Sequence, residues 1–109
     1  MITVLMSVFN NAAYLREAID SILNQTYTDF EFLIIDDAST DSSKEIISHY
    51  HDTRIRLIEN KRNIGLTKSL NKGLHKAKGE YIARMDADDI SLPDRLAVQY
   101  AFLQENPDA

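Results

Sequence analysis

Residues 30–41 read FEFLIIDDASTD, a nearly unbroken apolar run that ends in acidic and hydroxyl side chains. An apolar run without polar alternation is typical of a strand that is covered on both faces, as in a parallel sheet. Three more short apolar segments occur along the chain, so the sequence predicts four strands, at residues 2–9, 30–35, 55–58 and 81–85.

Patterns typical of helices lie between and after these strands. Apolar residues recur at helical spacing before the second strand, at Leu15, Ala18, Ile19, Ile22 and Leu23. Residues 42–45 (SSKE) form a capping-box pattern that predicts the start of a second helix. A third helix is predicted at about residues 65–78 with Gly79 as a left-handed stop, and Ser91 and Pro93 predict a fourth. The order βαβαβαβα predicts an α/β fold with an open, mainly parallel twisted sheet and helices on both faces.

Composition narrows the class of protein. The 109 residues carry a formal net charge of −5, and 44% are hydrophobic, which predicts a single globular domain over residues 1–109. The absence of cysteine excludes a disulfide scaffold, a cysteine-ligated zinc site and a thiol nucleophile. The acidic balance argues against nucleic acid as a partner, and we expect a cytoplasmic protein.

Acidic side chains follow two of the predicted strands. In an open α/β sheet, ligands bind beyond the carboxyl ends of the strands, so these positions are the first candidates for a site. Three carboxylates follow the fourth strand, at Asp86, Asp88 and Asp89, and they repel one another unless a cation compensates. Oxygen ligands of this kind suit Mg²⁺ or Mn²⁺. The alternative is an Asx turn that caps the next helix near Ser91.

The second strand is followed by Asp36 and Asp37. The hydroxyl residues after them and Asp41 suit a helix start, but that role does not need two carboxylates directly at the strand end. One of the pair is therefore a candidate to accept a hydrogen bond from a base or a sugar. Lys68 lies early in the third predicted helix, where an anion is favoured, and it is a candidate to bind the nucleotide-sugar donor. Phe9 is either a core residue or a stacking platform for a base.

Several motifs in order resemble family 2 glycosyltransferases of the GT-A fold, and the resemblance covers essentially the whole chain. The matching segments are residues 4–10 (VLMSVFN), 21–26 (SILNQT), 35–41 (IDDASTD), 63–66 (NIGL), 71–73 (NKG), 83–89 (ARMDADD) and 93–96 (PDRL). The resemblance implies the Rossmann-like, N-terminal nucleotide-sugar-binding half of such an enzyme.

The resemblance also implies roles for individual residues. Ser7 and Phe9 would line the base pocket, and Asp37 would bind the base, most often uracil. Asp86 and Asp88 would be the D-x-D pair: Asp88 would coordinate a divalent cation that bridges the donor diphosphate, and Asp86 would contact the ribose or the metal shell. The chain departs from many relatives at two places, with Phe9 in place of Tyr and Leu70 in place of Arg.

The function implied by the resemblance is inverting, metal-assisted transfer of a sugar from a UDP-sugar to a glycan or lipid-linked acceptor in polysaccharide biosynthesis. No catalytic base is assigned within the chain, because the resemblance places it in an acceptor-binding half beyond Ala109. We therefore expect residues 1–109 to be truncated before that half and inactive alone. Peripheral association with the inner face of the membrane and self-association through an exposed sheet edge are further expectations.

A receiver-like, Mg²⁺-dependent phosphoacceptor domain is the alternative function. Such a domain also has a parallel sheet and clustered aspartates, but its acidic pair follows the first strand and its acceptor aspartate follows the third. This chain has Asn10 in the first place and Glu59 and Asn60 in the second. A dehalogenase-type phosphatase is less favoured still, because its D-x-D follows the first strand.

Overall fold

The computed structural model describes residues 1–105, and four strands alternate with four helices over that range. The elements are β1 (Ile2–Val8), α1 (Ala12–Leu23), β2 (Phe30–Asp36), α2 (Ser43–Ser48), β3 (Ile55–Glu59), α3 (Leu66–Lys76), β4 (Tyr81–Asp86) and α4 (Arg95–Glu105). The predicted element order and the α/β class are confirmed. Residues 106–109, which the sequence analysis placed before a missing half, lie outside the described residues.

All four strands are parallel and lie in the order β3-β2-β1-β4. The chain runs outward from β1 to β3 and then crosses to β4 on the other side of β1, so the strand order reverses between β1 and β4. Val8 is paired with Asp36 and Ser7 with Asp86, which brings the ends of three strands to one side of the sheet. We call this side the carboxyl edge, and it is where ligands bind in open α/β sheets.

Helices cover both faces of the sheet, as predicted. One face packs against α1, α2 and α4, whose Leu15, Ile46 and Leu96 belong to the larger hydrophobic cluster. The other face packs against α3 through a smaller cluster that contains Leu5 and Leu33. All seven residues of β2 are buried, which explains why its sequence is apolar without alternation.

The strand boundaries differ from the prediction by one residue. β1 ends at Val8, so Phe9 lies outside the strand, while the other three strands extend into the polar residues that follow their apolar runs. Backbone pairing continues for as long as a neighbouring strand is present, and it does not require an apolar side chain. Asp36, Glu59 and Asp86 are therefore the last residues of their strands.

The predicted capping box at residues 42–45 is wrong. Ser42 precedes α2, but its side chain makes no capping hydrogen bond. The Oδ1 atom of Asp41 accepts the hydrogen bond from the backbone N–H of Ser43 instead, at 2.9 Å. The start of α2 is therefore capped by Asp41, and not by Ser42 as the pattern predicts.

The predicted left-handed stop at Gly79 is also wrong. α3 ends at Lys76, and Ala77 is already extended with φ −66° and ψ 136°. Gly79 is needed for close approach, because a Cβ atom there would lie 2.5 Å from the backbone nitrogen of Thr3. Its N–H donates to the hydroxyl of Thr3 at 2.8 Å, which fixes the entry into β4 beside β1.

The helices of residues 1–105 are too short, or too polar, for any of them to cross a bilayer.

Candidate functional site

The loops that follow β1 and β2 are joined by hydrogen bonds. The backbone N–H of Asn10 donates to Ser39 Oγ at 3.1 Å, and the N–H of Thr40 donates to Asn10 Oδ1 at 2.8 Å. Asn10 and Ala38 both adopt positive φ, at 53° and 60°, which turns each loop sharply away from its strand. The two loops therefore form one continuous rim at the carboxyl edge.

Asp41 has the structural role that the sequence favoured. Its carboxylate accepts from the N–H of Ser43 at 2.9 Å and from the N–H of Ala12 at 3.2 Å, so one side chain serves the first turns of α2 and α1. Burial raises the pKa of Asp41, but these hydrogen bonds outweigh it and hold the pKa below its ordinary value.

Asp36 turns inward and is used locally. Its Oδ1 atom accepts from the Ser39 hydroxyl at 2.7 Å and its Oδ2 atom from the Ser39 N–H at 3.2 Å, while Lys44 Nζ lies 4.0 Å from Oδ2. The side chain of Asp36 has no exposed surface. Of the two carboxylates after β2, Asp37 is thus the ligand-facing candidate.

Asp37 is held by the segment between β3 and α3. Its Oδ1 atom accepts from Asn60 Nδ2 at 3.0 Å and from the N–H of Ile64 at 2.8 Å, and its Oδ2 atom accepts from the N–H of Gly65 at 2.9 Å. Burial to 2% exposure raises the pKa, but the hydrogen bonds from Ile64, Asn60, Gly65 and Ser69 outweigh it, so the pKa lies below its ordinary value.

A cavity of about 370 Å³ opens beside Asp37 at the carboxyl edge. It brings together three of the predicted nucleotide-sugar-binding residues, and it is lined by Ser7, Phe9, Asn11, Asp37, Asn63, Gly65 and Leu66. Phe9 is 45% exposed, which excludes the core alternative and leaves its ring available at the cavity wall. A larger depression of about 470 Å³ between β4 and α4 contains none of the predicted site residues.

Lys68 does not line this cavity. It is exposed in the first turn of α3, and its predicted contact with the donor stays a prediction. Lys72, one turn further along the helix, instead donates from Nζ to Asn60 Oδ1 at 2.8 Å. Neither Lys72 nor Asn60 was identified as a site residue from the sequence, although Asn60 lies just ahead of the 63–66 motif.

The second acidic group lies at the end of β4. Asp86, Asp88 and Asp89 are all exposed, and they can each offer a carboxylate oxygen within 4.8 Å of the others. Ala87, which begins the turn after β4, is buried, whereas Asp86 and Asp88 on either side of it are exposed. We call these three residues the acidic cluster; its clustered, exposed, oxygen-only donors fit a hard divalent cation.

Of these three carboxylates, Asp89 is the one whose side chain forms a hydrogen bond within the turn, as the Asx-turn alternative requires. The N–H of Asp89 donates to the carbonyl of Asp86 at 3.0 Å, and the N–H of Asp86 donates to Asp89 Oδ2 at 3.1 Å, which closes a tight turn. The helix that follows begins at Arg95, beyond Ser91 and Pro93, and its Leu96 N–H is capped by Gln25 Oε1 at 3.0 Å rather than by the acidic cluster.

The loop after the acidic cluster is fixed to the end of α1. Besides its bond to Leu96, the buried Gln25 donates to the carbonyl of Leu92 at 2.6 Å, and the N–H of Ser91 donates to Ser21 Oγ at 3.0 Å. These contacts account physically for the 21–26 motif, to which the sequence analysis assigned no task. The motif anchors the segment that leads away from the acidic cluster.

The two acidic groups lie at the same edge of the sheet. Asp37 follows β2 and Asp88 follows β4, and β1 is the strand between them. Neighbouring strands are about 4.8 Å apart, so the strands that carry the two groups are about 10 Å apart.

Comparison with known proteins identifies the family. The model of the family described as glycosyl transferase family 2 matches residues 3–109. The chain belongs to glycosyltransferase family 2. Among curated relatives, EpsE of Bacillus subtilis is 47% identical over 109 residues, and an uncharacterized glycosyltransferase of Methanocaldococcus jannaschii is 44% identical over 112. The match covers 96% and 99% of this chain but 39% of each relative.

Solved glycosyltransferase structures share the fold. TarS of S. aureus, in complex with UDP-GlcNAc, matches 95% of this chain and 31% of its own with a TM-score of 0.90 at 28% identity. The mannosyltransferase PcManGT of Pyrobaculum calidifontis, in complex with GDP-Man and Mn²⁺, matches 94% of this chain and 32% of its own with a TM-score of 0.86 at 29% identity. The predicted GT-A, Rossmann-like fold is confirmed, and the receiver alternative is not favoured.

Proposed function

We propose that residues 1–109 are the donor-binding half of an inverting, metal-assisted glycosyltransferase that uses a UDP-sugar. The observation that carries the proposal is the cavity at the carboxyl edge, which joins Ser7, Phe9 and Asp37 and lies one strand away from the acidic cluster. A nucleoside diphosphate has a planar base at one end and a charged diphosphate at the other, and these two features match the two parts of the site.

The cavity supplies the two contacts that a base requires. The exposed ring of Phe9 offers a stacking surface, and stacking of a base on an aromatic side chain contributes about 1–3 kcal/mol. The carboxylate of Asp37 accepts hydrogen bonds only, so it suits the ring N–H of uracil. The complex of TarS with UDP-GlcNAc supports this proposal, since TarS shares the fold.

The acidic cluster is proposed to hold Mg²⁺ or Mn²⁺ through Asp88 and Asp86. Such a cation, when bound, stabilises the negative charge that develops on the departing diphosphate. The chain's own contribution is to keep both carboxylates exposed and close together, which the burial of Ala87 and the anchored loop after Asp89 achieve. The Mn²⁺ in the PcManGT complex supports this proposal.

The acceptor and the catalytic base are proposed to lie outside the chain. The relatives are longer, and about three fifths of the length of EpsE has no counterpart in the match, which covers 39% of it. We expect that part to bind a glycan or lipid-linked acceptor and to supply the base. Cytoplasmic location, attachment to the inner membrane face and self-association through an exposed sheet edge also remain predictions.

The proposal is tested by titrating the full-length protein with UDP in a calorimeter, with and without Mn²⁺. We expect Mn²⁺ to strengthen UDP binding. Changes to residues around a metal's ligands cost roughly 10- to 100-fold in metal affinity, so the loss of a ligand in Asp88→Ala should weaken Mn²⁺-dependent UDP binding by more than that. Asp94→Ala is the matched control, because Asp94 is an exposed aspartate outside the acidic cluster. UDP binding that ignores Mn²⁺, or an Asp88→Ala variant that binds like Asp94→Ala, would contradict the proposal.

A further inference from the structure

Asn60 connects the cavity to the charged side chain of Lys72. It directly follows β3, it is 5% exposed, and its own N–H donates to the carbonyl of Asp36 at 2.8 Å. Its side-chain nitrogen donates to Asp37 Oδ1 at 3.0 Å and to Ser69 Oγ at 3.1 Å, while its side-chain oxygen accepts from Lys72 Nζ at 2.8 Å.

Lys72 fixes the orientation of this amide. The ammonium group of a lysine can only donate, so the atom of Asn60 that faces it must be the oxygen. The nitrogen of Asn60 then faces Asp37. A flipped amide would place its NH₂ against the ammonium and its oxygen against a carboxylate, and both contacts are repulsive.

The orientation of Asn60 helps to hold the carboxylate of Asp37 in place, and a carboxylate can only accept hydrogen bonds. With Asn60, Ile64 and Gly65 all donating to it, the carboxylate is held as a hydrogen-bond acceptor. Its Oδ2 atom accepts the Gly65 N–H and, with more than one lone pair, retains capacity for a second donor from the cavity that Asp37 lines. A ring N–H, as in uracil or guanine, satisfies that capacity, whereas the N3 lone pair of cytosine opposes it.

We propose that Asn60, oriented by Lys72, is a positioning residue that holds the acceptor oxygens of Asp37 in place against the cavity and so selects donors whose base carries a ring N–H over cytidine donors. This inference rests on the proposed function, because it assumes that the base enters the Asp37 cavity. It assigns selectivity to one residue directly after β3 and one residue on α3, neither of which lines the cavity itself.

The test compares UDP with CDP by calorimetry on the full-length protein at saturating Mn²⁺. For Asn60→Leu we expect the preference for UDP over CDP to fall about tenfold, which is the loss expected when a hydrogen bond to a charged group is removed. Lys72→Met should lower the same ratio about threefold, and Lys72→Arg, which keeps a donor, should restore it. Asn71→Leu is the matched control, since Asn71 is an exposed asparagine that neighbours Lys72 on α3.

The ratio of UDP affinity to CDP affinity distinguishes a loss of positioning at Asp37 from a general loss of stability. A variant that only loosens the fold weakens UDP and CDP by the same factor, and that result for Asn60→Leu and Lys72→Met would overturn the proposal. If Asn60→Leu fails to fold, the Lys72→Met and Lys72→Arg pair decides the question alone, and an unchanged ratio in Lys72→Met would overturn the proposal. A parent protein that binds neither nucleotide would instead contradict the proposed function.

Discussion

The two acidic groups at the carboxyl edge differ in how they are bonded, although each begins with the last residue of a strand. Asp36 and Asp37 are buried, and each accepts two or more hydrogen bonds from its own protein. The acidic cluster at the end of β4 is exposed, and its carboxylates lie close together. The first group is part of the scaffold and of the cavity wall, whereas the carboxylates of the second remain exposed to solvent.

The position of each strand in the sheet explains the difference. β2 lies between β1 and β3 and is covered on both faces, so any side chain at its end is desolvated and must be paired. β4 is the outermost strand next to β1, and its residues alternate between buried and exposed positions. Similar acidic sequences therefore acquire different tasks, because the cost of leaving a carboxylate unpaired depends on where its strand lies.

The largest expected effect comes from removing Asp37. Asp37→Ala leaves the side-chain N–H of Asn60 and the backbone N–H groups of Ile64 and Gly65 without their acceptor. We expect the free energy of unfolding to fall by about 3 kcal/mol, measured by urea unfolding of the full-length protein. Asp88→Ala should lower it by less than about 0.5 kcal/mol, because Asp88 is exposed. Equal losses in the two variants would remove the distinction between the two groups.

Gln25 extends the comparison to the loop that anchors the acidic cluster. Gln25→Leu removes the cap on Leu96 and the bond to the carbonyl of Leu92, and both lost contacts involve a buried amide. We expect a loss of about 2 kcal/mol in unfolding free energy and faster amide hydrogen exchange at Leu96. The neighbouring exposed amide provides the control: Asn24→Leu should cost less than about 0.5 kcal/mol. Equal losses of unfolding free energy in the two variants would show that the loss does not come from the contacts of Gln25.

Acid should remove the contribution that the buried carboxylate of Asp37 makes to the stability of the fold. The pKa of Asp37 is lowered in the folded protein, so its contribution to stability is present above the unfolded-state pKa of about 4 and is lost as the pH falls through the folded-state pKa. We expect the unfolding free energy of the parent to decrease below about pH 4. Asp37→Asn should be less stable at pH 7 but should lose less on acidification, so the two curves converge. Parallel curves in urea titrations from pH 7 to pH 2 would contradict this role.

The sequence was sufficient to predict the architecture. The unalternated run of β2 indicated a strand covered on both faces, and the helical spacing of Leu15, Ala18 and Ile22 predicted the buried face of α1. Those patterns depend on burial, which repeats along each element and so leaves a periodic trace. The rule that ligands bind at the carboxyl ends then led directly to the residues that follow β2 and β4.

The parts that the sequence did not predict depend on single long-range contacts. Asn60 contacts Asp37 over a sequence separation of 23 residues, and Gln25 contacts Leu96 over 71 residues. No local sequence pattern therefore predicts either pair. Gly79 was misread for the same reason, because its requirement is set by Thr3, 76 positions away. Close backbone approach and capping by a distant residue are defined only in the folded chain, so the sequence alone does not predict them.

The smallest expected effect concerns the rim that joins the two loops. Ala38 holds φ at 60° without a side chain that could offset the steric cost, so Ala38→Gly should raise the unfolding free energy by up to about 1 kcal/mol. Asn10 holds nearly the same φ, 53°, but its side chain accepts from the Thr40 N–H, so Asn10→Gly should lose that bond and gain nothing overall. Urea unfolding of both variants tests the pair. Because Ala38 does not line the cavity, UDP affinity in Ala38→Gly should equal that of the parent. A stabilised variant with weakened UDP binding would show that the strained turn serves the ligand rather than the fold.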